Sequence, residues 1–103
     1  MSLDNEMIPR IDPNEFEIIG GTTYKHGKPT PDENSLRIAT LRNHLLVKVA
    51  ASATHWTVLY RDPTDGRYWE LVEQSPSNHA GGCLCLVFIS ENEAKVKYQL
   101  DEI

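Results

Sequence analysis

The segment Asp62-Pro63-Thr64-Asp65-Gly66, set between Trp56–Arg61 and Arg67–Glu73, constrains the fold more than any other stretch. Proline presets φ at the first turn position, and glycine accepts the left-handed conformation that closes a four-residue loop built on a type I turn. A hairpin with that loop sets Asp62 against Arg67, Tyr60 against Trp69, Val58 against Leu71 and Trp56 against Glu73. Side chains alternate across a strand, so Trp56, Val58, Tyr60, Trp69 and Leu71 share one face, expected to be core. Thr57, Leu59, Arg61, Tyr68, Glu70 and Val72 share the other, which is mixed in character.

Upstream, residues 1–13 carry Asp4, Glu6 and Asp12 with Pro9 and Pro13 and show no period, so they read as a flexible acidic lead. Residues 14–103 then form one domain. Glu15–Ile19 alternates weakly before Gly20-Gly21, as a short strand ending in a kink does. Thr22–Tyr24 extends it, and Lys25–Pro29 breaks the pattern.

Thr30-Pro31-Asp32-Glu33 opens a helix, with Thr30 as cap and Glu33 closing a capping box; Asp32 or Asn34 are the alternative caps. Ile38, Leu41, Leu45 and Val49 fall on one stripe at helical spacing, which carries the helix to about Ala51. Leu45–Ala50 is also rich enough in Val and Leu to be a strand.

Beyond the hairpin, residues 74–82 are turn formers around His79 and read as a loop. Cys83–Ile89 is a continuous apolar run, the pattern of a strand buried on both faces. Ser90-Glu91-Asn92-Glu93 is a second capping box, opening a short last helix. The order of elements predicts an α+β domain: an antiparallel sheet of about four to five strands with two helices packed on one face.

The formal net charge of −5 argues against nucleic-acid binding, which uses a basic stripe. No apolar run approaches a membrane span, and the start lacks the pattern of a secretory signal. With Cys83 and Cys85 as its two cysteines, the chain has no disulfide framework and suits a reducing cytoplasm. His79, Cys83 and Cys85 are the one metal-like cluster, but a fourth ligand is missing and no cofactor is expected.

An enzymatic reading would pair His79 with Cys83, Cys85 or Glu70, although both cysteines sit in an expected buried strand rather than at an activating site. A binding reading uses the Arg, Tyr and acidic residues that recur at protein interfaces: Arg61, Asp62, Asp65, Arg67, Tyr68, Glu70 and His79. A purely structural reading makes Arg61, Asp62, Asp65 and Arg67 a charge network that fixes the turn. A third class is a homo-oligomeric module joined through the mixed face; monomer and homodimer both fit the sequence.

The run Trp56-x-x-Leu59-Tyr60-x-Asp62-Pro63-x-Asp65-Gly66-Arg67-x-Trp69-Glu70-Leu71, followed by His79-x-Gly81-Gly82, resembles the immunity protein 27 family. The likeness extends upstream through Asp32, Arg37, Ile38, Leu41 and Leu45, and downstream to Ile89 and Tyr98. His55 stands where the family pattern has glycine, and Ala80 interrupts its His-Gly-Gly-Gly run. The resemblance implies a small intracellular α+β protein, without catalytic activity, that binds and neutralises the cognate toxin domain of a bacterial polymorphic toxin system. A basic nuclease is a toxin class that an acidic inhibitor would suit.

Overall fold

The computed structural model describes residues 9–74 and 83–100. In chain order these form β1 (Glu17–Ile19), β2 (Thr22–Lys25), β3 (Lys28–Pro31), α1 (Glu33–His44), β4 (Val47–Ser52), β5 (Thr57–Arg61), β6 (Tyr68–Gln74), β7 (Cys83–Ile89) and α2 (Glu91–Tyr98). Five strands make an antiparallel sheet in the order β1-β7-β6-β5-β4, and β2 and β3 make a separate ribbon. The fold is α+β, as the order of elements predicts.

The hairpin register is the one the turn dictates. Tyr60 faces Trp69 and Val58 faces Leu71. Asp62 N–H donates to the Arg67 carbonyl at 2.9 Å, and Gly66 takes φ +81° while its N–H bonds the Asp62 carbonyl at 2.7 Å. Cys83–Ile89 is an interior strand between β1 and β6, matching its unbroken apolar character.

Two expectations give way around α1. Thr30 and Pro31 belong to β3, because His26 and Gly27, both at positive φ, form a two-residue turn that pairs β2 with β3. The cap is Asp32, whose Oδ1 accepts from Ser35 N–H at 2.8 Å. The helix then stops at His44 instead of running to Ala51. Leu45–Ala50 fits either element locally, and pairing of Val47–Ser52 with β5 decides for a strand, since it supplies ladder hydrogen bonds and buries Leu46.

The two helices lie on opposite faces of the sheet, which corrects the single helical face expected. Ile38 and Leu41 of α1 pack with Ile18, Tyr60, Trp69, Leu71 and Leu86. Ala94 of α2 packs with Leu59, Tyr68 and Ile89, and Tyr98 joins them. Leu59 and Tyr60 are sequence neighbours, as are Tyr68 and Trp69, so alternation alone sends them to opposite sides. The face expected to be mixed in character is therefore a second core under α2.

Of the lead, residues 9–13 are described, and Ile11 is 5% exposed within the first core. What holds that segment down comes from far along the chain. Arg37 makes a fork to Glu15 at 2.7 and 2.8 Å, and Arg67 reaches the carbonyls of Glu15 and Asp12 at 2.8 and 3.1 Å. Gly20 seats β1 against α1: a Cβ there would lie 2.5 Å from the Leu84 carbonyl oxygen and 2.7 Å from Ser35 Oγ.

Candidate partner-binding surface

The hairpin residues proposed for binding divide into a buried and an exposed set. Asp62 has no exposed surface; its Oδ1 accepts from Thr64 N–H and Oγ1 at 2.8 and 2.6 Å, which locks the turn. Asp65 pairs with Arg67 at 2.8 Å, and its carboxyl is held below the usual carboxylate range by the bonds from Arg67 that outweigh its desolvation. The Arg67 guanidinium also lies over Trp69 and Phe16, 4.9 and 5.7 Å from the ring centroids. These three residues build the turn and clamp residues 12–15, as the structural reading of the charge network has it for Asp65 and Arg67.

Tyr68 and Glu70 are 5% and 8% exposed, because α2 covers their face. Glu70 Oε2 accepts from Lys97 Nζ at 2.6 Å and from the Tyr98 hydroxyl at 2.8 Å, and Tyr98 in turn meets Thr57 Oγ1 at 2.5 Å. Burial pushes the Tyr98 phenol up to about 12, with the Glu70 carboxylate adding to the rise. Glu70 thus anchors α2 to the sheet through Oε2. A groove of about 610 Å³ runs beside this pair, lined by Glu70, Phe88, Ile89, Val96 and Lys97.

Cys85 is 1% exposed in β7. His79 and the Cys83 side chain lie outside the described residues. Among the described residues, no three His, Cys, Asp or Glu side chains stand close enough to hold a metal ion, and no helix is long and apolar enough to cross a membrane.

Arg61 and Asp65 are the exposed members of the described hairpin set, and of the two Asp65 is already paired with Arg67. Arg61 stands opposite Val47 of β4, which is 54% exposed. The β4 strand forms the end of the sheet, and its outer side meets no other strand among the described residues. A register shift between Lys48 and Ala50 interrupts its pairing with β5, the mark of a bulge.

The turn from β4 into β5 ends on Trp56, which is 83% exposed and has φ +58°. This corrects its expected place in the core opposite Glu73: the ladder begins at Thr57, and the left-handed conformation at Trp56 swings its indole away from the sheet. A non-glycine residue there costs about 1–2 kcal/mol of backbone energy. Neither exposure of an indole nor that strain serves stability. Exposed tryptophan is a frequent anchor at protein interfaces. The sequence signal was the polar Ser52-Ala53-Thr54-His55 run directly before it. There the Ser52 hydroxyl bonds both the His55 N–H and its ring Nδ1 at 3.1 Å, which fixes the turn.

Compared with known proteins, residues 24–90 match the family model described as immunity protein 27. That span runs from the end of β2 through β7 and takes in β4, Trp56 and the whole hairpin. Neither the curated proteins nor the solved structures yield a match.

Proposed function

The chain belongs to the immunity protein 27 family, and from that premise we propose that it binds and blocks the catalytic domain of a cognate polymorphic toxin. The family match over residues 24–90 carries this reading. It is supported by how the polar side chains are used: Asp62, Arg67, Glu70 and Tyr98 are committed to turn, clamp and helix anchoring. The inhibition is by docking, without a chemical step. The encounter is cytoplasmic in this reading, consistent with a chain of two cysteines and no disulfide framework.

The target class we favour is a basic, nuclease-like domain. A net charge of −5 raises the encounter rate with such a partner and makes it fall with salt. The test is co-expression with the toxin domain encoded beside the protein. Protected cells and a stable complex on gel filtration are expected; unprotected cells together with separate elution would overturn the reading.

A further inference from the structure

Between Asn34 and Arg61 the chain contains no Asp or Glu, although it has 15 acidic residues in all. That stretch is α1, β4, the turn and β5. Arg42, Lys48 and Arg61 within it are exposed and pair with no carboxylate among the described residues. Among the described residues the exposed carboxylates lie elsewhere, on Asp12 before β1, Glu17 on β1, Glu33 at the start of α1, Glu73 far along β6, and Glu91 and Glu93 on α2, except for Asp65 at the hairpin tip, which pairs with Arg67. Among the described residues, an acidic protein thus has one sheet edge that is locally cationic.

We infer that the outer edge of β4, flanked by Lys48 and Arg61 and ending at Trp56, takes up an extended acidic segment of the toxin domain as a sixth strand. The inference rests on the toxin-binding reading above and names the surface that performs it. Main-chain hydrogen bonds along Val47–Ser52 give the attachment, and side chains on either side of the edge give selectivity. Lys48 shares a face with Tyr60 and Val47 shares one with Arg61, so an added strand meets a cation on each face. At the far end Trp56 supplies an apolar anchor that the free protein leaves in water.

Charge also decides against a second copy of this chain as the occupant. Two β4 edges brought together would bring Lys48 and Arg61 of one copy toward the same cations of the other. A lysine and a bulge on an edge strand are the usual devices against self-pairing. An acidic strand turns that repulsion into attraction, so one feature rejects the wrong partner and favours the right one. The opposite edge offers no such template: β1 is three residues long and ends at the Gly20-Gly21 junction with α1. The net charge draws in a basic domain as a whole, while the edge selects the segment that docks.

The test uses the full chain and a catalytically inactivated toxin domain. Hydrogen exchange should slow at the 47–52 amides on complex formation. Trp69 is fully buried, so acrylamide quenching of tryptophan reads Trp56 and should fall in the complex. Lys48→Glu and Arg61→Glu should each weaken binding about tenfold, chiefly through faster dissociation because the local contact with the acidic segment is lost, with an unchanged unfolding temperature. A complex in which β4 exchanges as in the free chain overturns the inference and leaves the toxin-binding reading standing. So does protection of β4 in the isolated chain that grows with its concentration, which would assign the edge to a second copy. Failure of the wild-type chain to form any complex overturns both.

Discussion

Replacing Arg67 with lysine keeps the charge and removes the fork. The guanidinium donates to Asp65 at 2.8 Å, to the Glu15 carbonyl at 2.8 Å and to the Asp12 carbonyl at 3.1 Å. Its side chain is 16% exposed, sandwiched against Trp69 and Phe16. A lysine nitrogen is a single point and reaches one of those acceptors, and it stacks less well on the rings. Hydrogen bonds to charged groups contribute about 1.5–3 kcal/mol each. Asp12 is exposed and its carbonyl rehydrates in the variant, so the net loss is toward the low end, about 2 kcal/mol for lysine and about 4 kcal/mol for alanine. In a domain of this size about 2 kcal/mol lowers the melting temperature by roughly 10 °C. Urea unfolding should show a lower midpoint with an unchanged slope. Native-state exchange should show the Glu15 amide, which bonds the Asp12 carbonyl at 2.9 Å, opening well before the sheet. An Arg67→Lys variant within about 0.5 kcal/mol of wild type, with Glu15 exchange unchanged, would refute the clamp.

Gly20→Ala should destabilise by about 3 kcal/mol, because a Cβ 2.5 Å from the Leu84 carbonyl of β7 and 2.7 Å from Ser35 Oγ of α1 forces both away from this position; urea unfolding measures it. The Arg37 hydrogen bonds hold the Glu15 carboxyl at about 2, below its ordinary 4.5. A depressed folded value means the contribution is complete above pH 4.5 and disappears as pH falls toward 2. The Glu15 side chain is 31% exposed, so screening leaves roughly 1 kcal/mol. Arg37→Met should flatten the acid limb of the stability–pH curve over that window. For Tyr98 the sign is reversed: burial raises the phenol to about 12, so its stabilising effect is full below pH 10 and lost between 10 and 12. Spectrophotometric titration should show a late-ionising phenol, and Tyr98→Phe should remove that step. Trp56→Gly should raise stability by about 0.5–1 kcal/mol by relieving the left-handed strain, while weakening toxin binding; a lower unfolding midpoint would contradict the strain.

Local chemistry made the hairpin readable. Pro63 and Gly66 fix the loop, the loop fixes the register, and the register places Tyr60 against Trp69 without knowledge of the rest of the chain. The Ser90–Glu93 capping box was equally local, and both of its hydrogen bonds form. What failed depended on partners remote in sequence. Leu45–Ala50 carries helical and strand signals together, and β5 decides between them. Tyr68 and Glu70 read as outward because nothing in the hairpin says that α2, a strand further on, returns to cover them. Arg67 read as a turn residue because its acceptors at Asp12 and Glu15 lie more than fifty positions upstream. Trp56 read as core because alternation was extended one residue past the point where the ladder begins.

Two of these differences, at Leu45–Ala50 and at Trp56, fall on the β4 edge. Over most of the chain the local preferences agree with the structure: Asp32 and Ser90 cap their helices, His26-Gly27 turns the ribbon, and the apolar run of β7 lies inside the sheet. Between Val47 and Trp56 they do not. There the pairing of an edge strand shifts register, a tryptophan sits in water at positive φ, and Lys48 pairs with no carboxylate among the described residues. Selection for stability alone would place glycine or asparagine at position 56 and a polar side chain where the indole is exposed. Sites where a sequence departs from its own fold rules are where function is expected to have been paid for in stability. The departures converge on one edge of one sheet. The buried half of the hairpin then acts as the rigid platform that holds this edge, with Trp69, Leu59 and Asp62 fixing the strand that β4 and Trp56 depend on.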